Sequence, residues 1–316
     1  MPEDKITGLE VKRQDRQPVG KGINFMRFIQ FSAAKLNLSL RVTKKRGDGF
    51  HDIVSLFLRL PATETLSISN IEGAGSDNVR VKGAEIEGEN IVSRALRRIR
   101  EAGVDVPFLD VEISKIISPG SGLGAGSGNA AAVLCWLRRL TGSATCPKRQ
   151  NNDSAWQNAA LKTGADVPFL FSCRKFALVS GIGEILEPLE SIKLYASIVL
   201  PEWSVGTENA YTQLDNRYGG KYPLSYSAAR DEAHALHKKL LAGERIGLLP
   251  NDFAPALMEK FPGYIELFDM FDKSGHIAWG ITGSGGAAFA LSGEMHPPLA
   301  AAWPLWVRQI LAPDLV

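Results

Sequence analysis

The stretch "ISPGSGLGAGSGNAAAVLCWLRRL", residues 117–140, carries five glycines in its first half and an alanine-led apolar run in its second. Glycine has no Cβ, so it admits left-handed turns and close backbone approach. The run from Ala130 to Leu140 has helical patterning, with small residues first. A glycine loop opening a helix is an anion site that needs no charged side chain, because free N–H groups and the positive end of the helix dipole face the same point. Ser121 and Ser127 add hydroxyls to it. A flexible loop with a tight helix entrance is the competing reading, and glycine alone does not separate the two.

Two familiar phosphate loops do not fit. A Walker A loop needs Lys and then Ser/Thr after its last glycine, whereas Gly126 is followed by Ser127, Gly128 and Asn129. A dinucleotide fingerprint needs GxGxxG early in a βαβ unit and an acidic residue about 20 positions on. Here the spacing of Gly122, Gly124 and Gly126 is GxGxG, and Asp153 falls in a polar loop.

Elsewhere the patterning changes irregularly between period 2 and period 3.6. "NFMRFIQFSAAKLNLSLRV" alternates around a small-residue corner at Ala33 and Ala34, "KKRGDGF" is a turn cluster, and "HDIVSLFLRL" and "ETLSISNI" are two further strand-like runs. Asn90 caps a helix that Gly103 closes, with Ile91, Ala95, Leu96 and Ile99 at helical spacing. "DSAWQNAALKTG" is read as a helix and "VPFLF" as an apolar strand-like run; two more helical stretches precede a glycine-turn hairpin, "HIAWGITGSGGAAFALSG". This mixture predicts an α+β fold rather than a strict βαβ succession. The length of 316 residues suggests two domains. Proline, glycine and charge around residues 172–183 place the boundary there, dividing an N-terminal extension (1–30), a first domain (31–175) and a second (176–316).

Composition excludes several classes. Net charge is +2 with a pI near 8.4, too mild for a nucleic-acid or membrane surface. No apolar run approaches the roughly 20 residues of a membrane span. The three cysteines, Cys135, Cys146 and Cys173, show no CxxC spacing, which suits a reducing cytoplasm without a disulfide framework. Among the five histidines there is no HExxH pair, and the two close ones, His234 and His237, are expected on a solvated helix face.

"PGSGLGAGSGNAA" resembles the second motif of the GHMP small-molecule kinases, and "ITGSGGAAFAL" (281–291) their third. Within that superfamily, "AKLNLSLRVTKKRGDGFHDIVSLF" (34–57), "ENIVSRA" (89–95), "GADVPFLF" (164–171), "GIGEILEPL" (181–189) and "NDFAPAL" (251–257) are similar, in order, to the 4-diphosphocytidyl-2-C-methyl-D-erythritol kinases. The resemblance implies a two-domain GHMP kinase fold with its active site in the interdomain cleft. It also implies ATP-dependent phosphorylation of the 2-hydroxyl of 4-diphosphocytidyl-2-C-methyl-D-erythritol, in non-mevalonate isoprenoid biosynthesis, with Mg2+ following from phosphoryl-transfer chemistry.

Carried over residue by residue, the resemblance makes Asp166 the catalytic base and Lys35 the lysine that orients it and balances charge. Asn37 contacts the methylerythritol hydroxyls. Phe50 stacks on the cytosine and His51 reads its edge; Tyr211 supplies a second stacking face and Thr207 a further contact. Asn90 and Lys115 fall at adenosine-contacting positions. Gly120, Ser121, Gly122, Leu123, Gly124, Ala125, Gly126 and Ser127 form the phosphate loop, with Gly283, Ser284 and Gly285 close by. The implied partner is the small-molecule substrate alone, on a monomer or weak homodimer. The chain departs from the family where Gly128 replaces a second hydroxyl residue, which puts metal positioning in question. A GHMP kinase for another small alcohol, or a non-catalytic nucleotide-binding relative, remain alternatives.

Overall fold

The computed structural model describes residues 27–142, 152–294, 304 and 307–315, apart from residues 74 and 87. The expected extension therefore lies almost wholly outside the described residues, as does Cys146. The chain runs through β1 (Phe28–Asn37), β2 (Arg41–Lys45), β3 (His51–Asn70), β4 (Asn78–Lys82), α1 (Ile91–Glu101), β5 (Leu109–Ser114), α2 (Ala125–Leu140), α3 (Asn152–Thr163), α4 (Val167–Phe171), β6 (Phe176–Gly181) and β7 (Ile185–Pro188). It continues through β8 (Tyr195–Pro201), α5 (Thr207–Tyr218), α6 (Tyr226–Leu241), β9 (Gly247–Leu248), α7 (Ala254–Lys260), α8 (Gly263–Lys273), β10 (Ala278–Ile281), β11 (Ala288–Ser292) and β12 (Val307–Leu315).

The first sheet has the order β4-β5-β3-β6-β7, with β1 and β2 also paired to β3. The long β3 is its spine. One face packs Phe57, Leu66, Ile68 and Val111 against α1 to α4, including Leu96, Leu134, Trp156 and Phe169. The other face, with Leu36, Leu38, Leu56, Leu58 and Leu60, meets Ile198, Phe289 and Leu291 of a second sheet and Leu236 and Leu240 of α6. Both faces of β3 are covered, so "IVSLFLRL" is apolar almost throughout instead of alternating. The second sheet has the order β12-β8-β11-β10-β9. Its remaining core joins α5, α7 and α8 through Leu214, Leu257, Tyr264 and Phe271.

Several expectations hold. Asn90 caps α1 by accepting from the Val92 N–H at 2.8 Å, and Gly103 follows the helix at φ +79°. The corner at Ala33 and Ala34 is a double register shift between β1 and β3. β10 and β11 form the expected antiparallel hairpin.

Others are corrected. The two runs read as separate strands are one, β3; its Pro61 falls where the pairing skips a residue, so no ladder N–H is missed. The strands β6 and β7 continue the first sheet to Pro188 by pairing with β3 and with each other. The cluster before residue 176 is a turn into that strand, and the first sheet ends later than 175. "VPFLF" is helical, started by Pro168 in its first turn. α2 begins at Ala125, so Gly126, Ser127 and Gly128 belong to its first turn. His237 is buried, its Nε2 2.8 Å from the Glu190 carbonyl oxygen. Among the described residues, no helix is long and apolar enough to cross a membrane.

Candidate active site

A cavity of about 750 Å³ opens between the two sheets. It is lined from the first sheet and its turns by Lys35, Asn37, Phe50, His51, Gly124, Ser127 and Asp166, and from the second half of the chain by Thr207, Tyr211, Gly283 and Ser284. Residues separated by up to about 250 positions in sequence thus meet in one cleft.

Lys35 is at the buried end of β1. Its Nζ donates to Asn37 Oδ1 at 2.5 Å and the Gly122 carbonyl at 2.8 Å, and it lies 3.6 Å from Asp166 Oδ2. An ammonium has three donor directions; hydrogen bonds to Asn37 and Gly122 use two, and Asp166 is an ion-pair partner. Burial pulls the Lys35 pKa below its ordinary value, opposed by the charge and hydrogen bonding of Asp166. Asp166 precedes α4 and keeps 28% side-chain exposure toward the cleft. Asn37 is committed: its Oδ1 holds Lys35 and its Nδ2 donates to Ser55 Oγ at 2.9 Å. The Asn37 amide expected at the substrate hydroxyls thus serves first to orient Lys35.

The glycine loop is shaped by what it touches. Gly124, at φ +64°, precedes α2, and a Cβ there would lie 2.9 Å from Asp166 Oδ2 and 3.2 Å from Lys35 Cε. Only glycine lets the helix start this close to the charged pair. The loop also locks into the β10–β11 turn. A Cβ on Gly122 would lie 2.4 Å from the Thr282 carbonyl oxygen, and one on Gly286 would lie 2.7 Å from that of Gly120. Ala287 N–H donates to the Ser121 carbonyl at 2.7 Å. Leu123 and Ala125 turn their side chains into the core between the sheets, so of the expected phosphate loop these two contribute backbone only.

Gly128 answers a different need from the one its motif position suggests. A Cβ at this point would fall 1.7 Å from the Ala33 carbonyl oxygen. The position faces β1 and not the cleft, so the absent hydroxyl could not have reached a metal there without moving the strand.

At the far end of the cleft His51 lies over Tyr211, with ring centroids 4.6 Å apart at 26°. One Tyr211 face is therefore already covered, while Phe50 is 57% exposed. His51 Nε2 is 2.8 Å from Asp215 Oδ1, which also accepts from Tyr222 Oη; Lys45 Nζ reaches Asp215 Oδ2 at 2.6 Å. Asp215 was not foreseen, although it stands one helical turn after Tyr211 on α5. Thr207 opens α5 and accepts from Ser284 Oγ at 3.2 Å.

Two expected adenosine contacts have other occupations. The Asn90 side chain caps α1. Lys115 forms a buried ion pair with Glu64 at 3.1 Å, and its residue lines a neighbouring cavity of about 350 Å³ that also borders Gly120, Ser121 and Trp203. Glu64 further accepts from Ile117 N–H at 2.9 Å and Asn129 Nδ2 at 2.7 Å. Among the described residues no cluster of three His, Cys, Asp or Glu side chains exists that could hold a metal by itself.

The GHMP kinases N terminal domain family matches residues 90–172. A 4-diphosphocytidyl-2-C-methyl-D-erythritol kinase of Pelodictyon phaeoclathratiforme is 30% identical over 273 residues, covering 85% of this chain and 90% of the relative. One of Porphyromonas gingivalis is 32% identical over 272 residues, covering 84% and 92%. Among solved structures, a 4-(cytidine 5'-diphospho)-2C-methyl-D-erythritol kinase superposes with a TM-score of 0.65 at 27% identity over 84% of this chain and 90% of the other. A homoserine kinase from Cytophaga hutchinsonii shares the fold, with a TM-score of 0.58 at 19% identity and 88% coverage of each chain.

Proposed function

Because the chain belongs to the 4-diphosphocytidyl-2-C-methyl-D-erythritol kinase family of the GHMP kinases, we propose that the cleft around Lys35 and Asp166 is where it phosphorylates the 2-hydroxyl of that diphosphocytidyl alcohol. The phosphoryl donor is ATP, the pathway is non-mevalonate isoprenoid synthesis, and the compartment we assign is the cytoplasm. The observation that carries the site is the buried Lys35 ammonium, 3.6 Å from Asp166, beside the first turn of α2.

Phosphoryl transfer asks for alignment and charge balance more than for covalent chemistry. The first four N–H groups at the start of α2 have no partners within the helix, and Gly124 and Ser127 there line the cleft. They suit the phosphates of a nucleotide. Asp166, open to the cleft, takes the proton of the substrate hydroxyl onto its carboxylate. Lys35 is fixed by Asn37 and Gly122, so it holds Asp166 in one place and offsets negative charge that builds beside it. Mg2+ keeps most of its ligands as phosphate oxygens and water; the Ser127 hydroxyl is the side chain here that fits it, and the ion would neutralise phosphate charge. Phe50 and His51 take the cytosine end of the substrate.

The test is ADP release with ATP, Mg2+ and the diphosphocytidyl alcohol, comparing wild type with Asp166→Ala. The expected result is a loss of about 10²- to 10⁴-fold in turnover with substrate binding retained. Folded wild type that binds the alcohol but never releases ADP would end this reading.

A further inference from the structure

The mechanism leaves two thiols unused. Cys135, in the C-terminal half of α2, and Cys173, two residues past α4, bring their Sγ atoms to 3.9 Å. That is van der Waals contact between the two sulfurs. Cys173 is exposed and Cys135 half-buried. Cys173 is also the one described non-glycine residue with positive φ, at +57°, an uncommon conformation for a side chain other than Asn or Asp. Beside the pair lies a cavity of about 100 Å³ bordered by Arg59 and Arg139. Arg59 Nη1 donates to the Leu170 carbonyl at 2.6 Å, which pins a guanidinium next to the Cys173 turn. Cys135 Sγ also lies 3.5 Å from the Phe171 carbonyl, so its one S–H turns either to that oxygen or to Cys173.

These surroundings divide the labour between the two sulfurs. The hydrogen bond from Cys135 pulls the Cys173 thiol down to about 6; burial works against this, and the charges of Arg59 and Arg139 assist. Cys135 is shifted upward, by the same hydrogen bond and then by burial. Cys173, exposed and beside Arg59 and Arg139, is placed as the nucleophile, and the half-buried Cys135 as its protonated neighbour, the arrangement reactive dithiols use.

We propose that Cys135 and Cys173 form a redox-active dithiol, in which Cys173 attacks a hydroperoxide and Cys135 resolves the product as an intramolecular disulfide. In the first step the Cys173 thiolate bonds to one peroxide oxygen, the O–O bond breaks, and hydroxide leaves to become water on protonation. The sulfur is oxidised by two electrons to a sulfenic acid as the peroxide is reduced. In the second step Cys135 gives up its proton and its sulfur bonds to Cys173 Sγ; the S–O bond breaks and a second water departs. Two thiols and one hydrogen peroxide become one disulfide and two waters. Closing 3.9 Å to the roughly 2.05 Å of an S–S bond falls mainly to Cys173, which sits in an exposed turn.

The experiment uses the full chain and hydrogen peroxide at a few-fold molar excess, followed by alkylation, digestion without reductant and mass mapping. The expected result is a linked Cys135–Cys173 peptide, reversible by dithiothreitol, with Cys146 still free. In Cys135→Ser, a dimedone reagent should trap a sulfenic acid at Cys173. With peroxide absent, Cys173 should alkylate at neutral pH several-fold faster than Cys135, as its exposure beside two guanidinium groups requires. Oxidation without the link, or Cys173 reacting no faster than Cys135, would overturn the proposal. Neither readout depends on kinase turnover.

Discussion

Asp215 gathers Lys45, His51 and Tyr222 around one carboxylate. Burial opposes its charge, but the hydrogen bonds from these three outweigh it and bring the carboxyl down to about 2. A depressed folded pKa stabilises the fold at pH values above the unfolded carboxylate value of about 4, and that contribution is lost as pH falls toward 2. Thermal unfolding of wild type and Asp215→Asn should therefore differ by a constant amount above pH 4 and converge near pH 2. The same residue engages one His51 nitrogen. With Nε2 turned to this carboxylate, Nδ1 is the ring nitrogen left for the edge of the cytosine. Hydrogen bonds to charged groups contribute about 1.5–3 kcal/mol. Asp215→Asn should thus raise KM for the cytidyl substrate by about 10- to 100-fold while changing kcat little. An unchanged KM would separate His51 from base recognition. Lys35 and Asp166 were legible in the chain because each sits in a motif of its own. Asp215 and Glu64 were not, since their partners His51 and Lys115 lie 164 and 51 positions away and leave no local pattern.

At the scale of elements, two contacts decide how α2 seats on the first sheet. Gly128 lets the helix pass over the bulged carbonyl of Ala33. Gly128→Ser adds a hydroxyl but overpacks this crossing, and should destabilise the protein by about 1–3 kcal/mol or more, read by urea denaturation. Improved turnover without lost stability would contradict the placement. Glu64 ties β3 to α2 and to the segment entering the glycine loop, through Asn129 and Ile117. It is fully buried with Lys115, and removing one member of such a pair costs about 3–5 kcal/mol. Glu64→Ala should show that loss, and adding Lys115→Met should recover part of it. Local patterning anticipated α1 and the β10–β11 hairpin, where caps and turn glycines act within a few residues. It misread residues 167–171, because a five-residue apolar run fits a buried strand or a buried helix equally, and Pro168 tips it to the helix only in its context.

Taken whole, the molecule has a core shared by its two sheets, where Leu36, Leu58, Ile198 and Phe289 meet. Neither sheet can shed this surface without exposing the other. Thermal unfolding should therefore follow one transition, whether read from Trp136 and Trp156 on the first sheet's side or from Trp203 and Trp279 on the second's. Two resolved transitions would show that the shared core does not couple them. The extent of the first sheet was not legible, since the pairing of β6 and β7 with β3 is a long-range choice. The two interlocked glycine loops place a clock on biosynthesis. Thr282 backs Gly122 from 160 positions downstream, and a ribosome adding about 5–20 residues per second needs on the order of 8–30 s to cover that interval. Until then the nascent loop has only its first-half contacts, Lys35 on Gly122 and Leu123 among them, and lacks the β10–β11 turn that locks it from the other side.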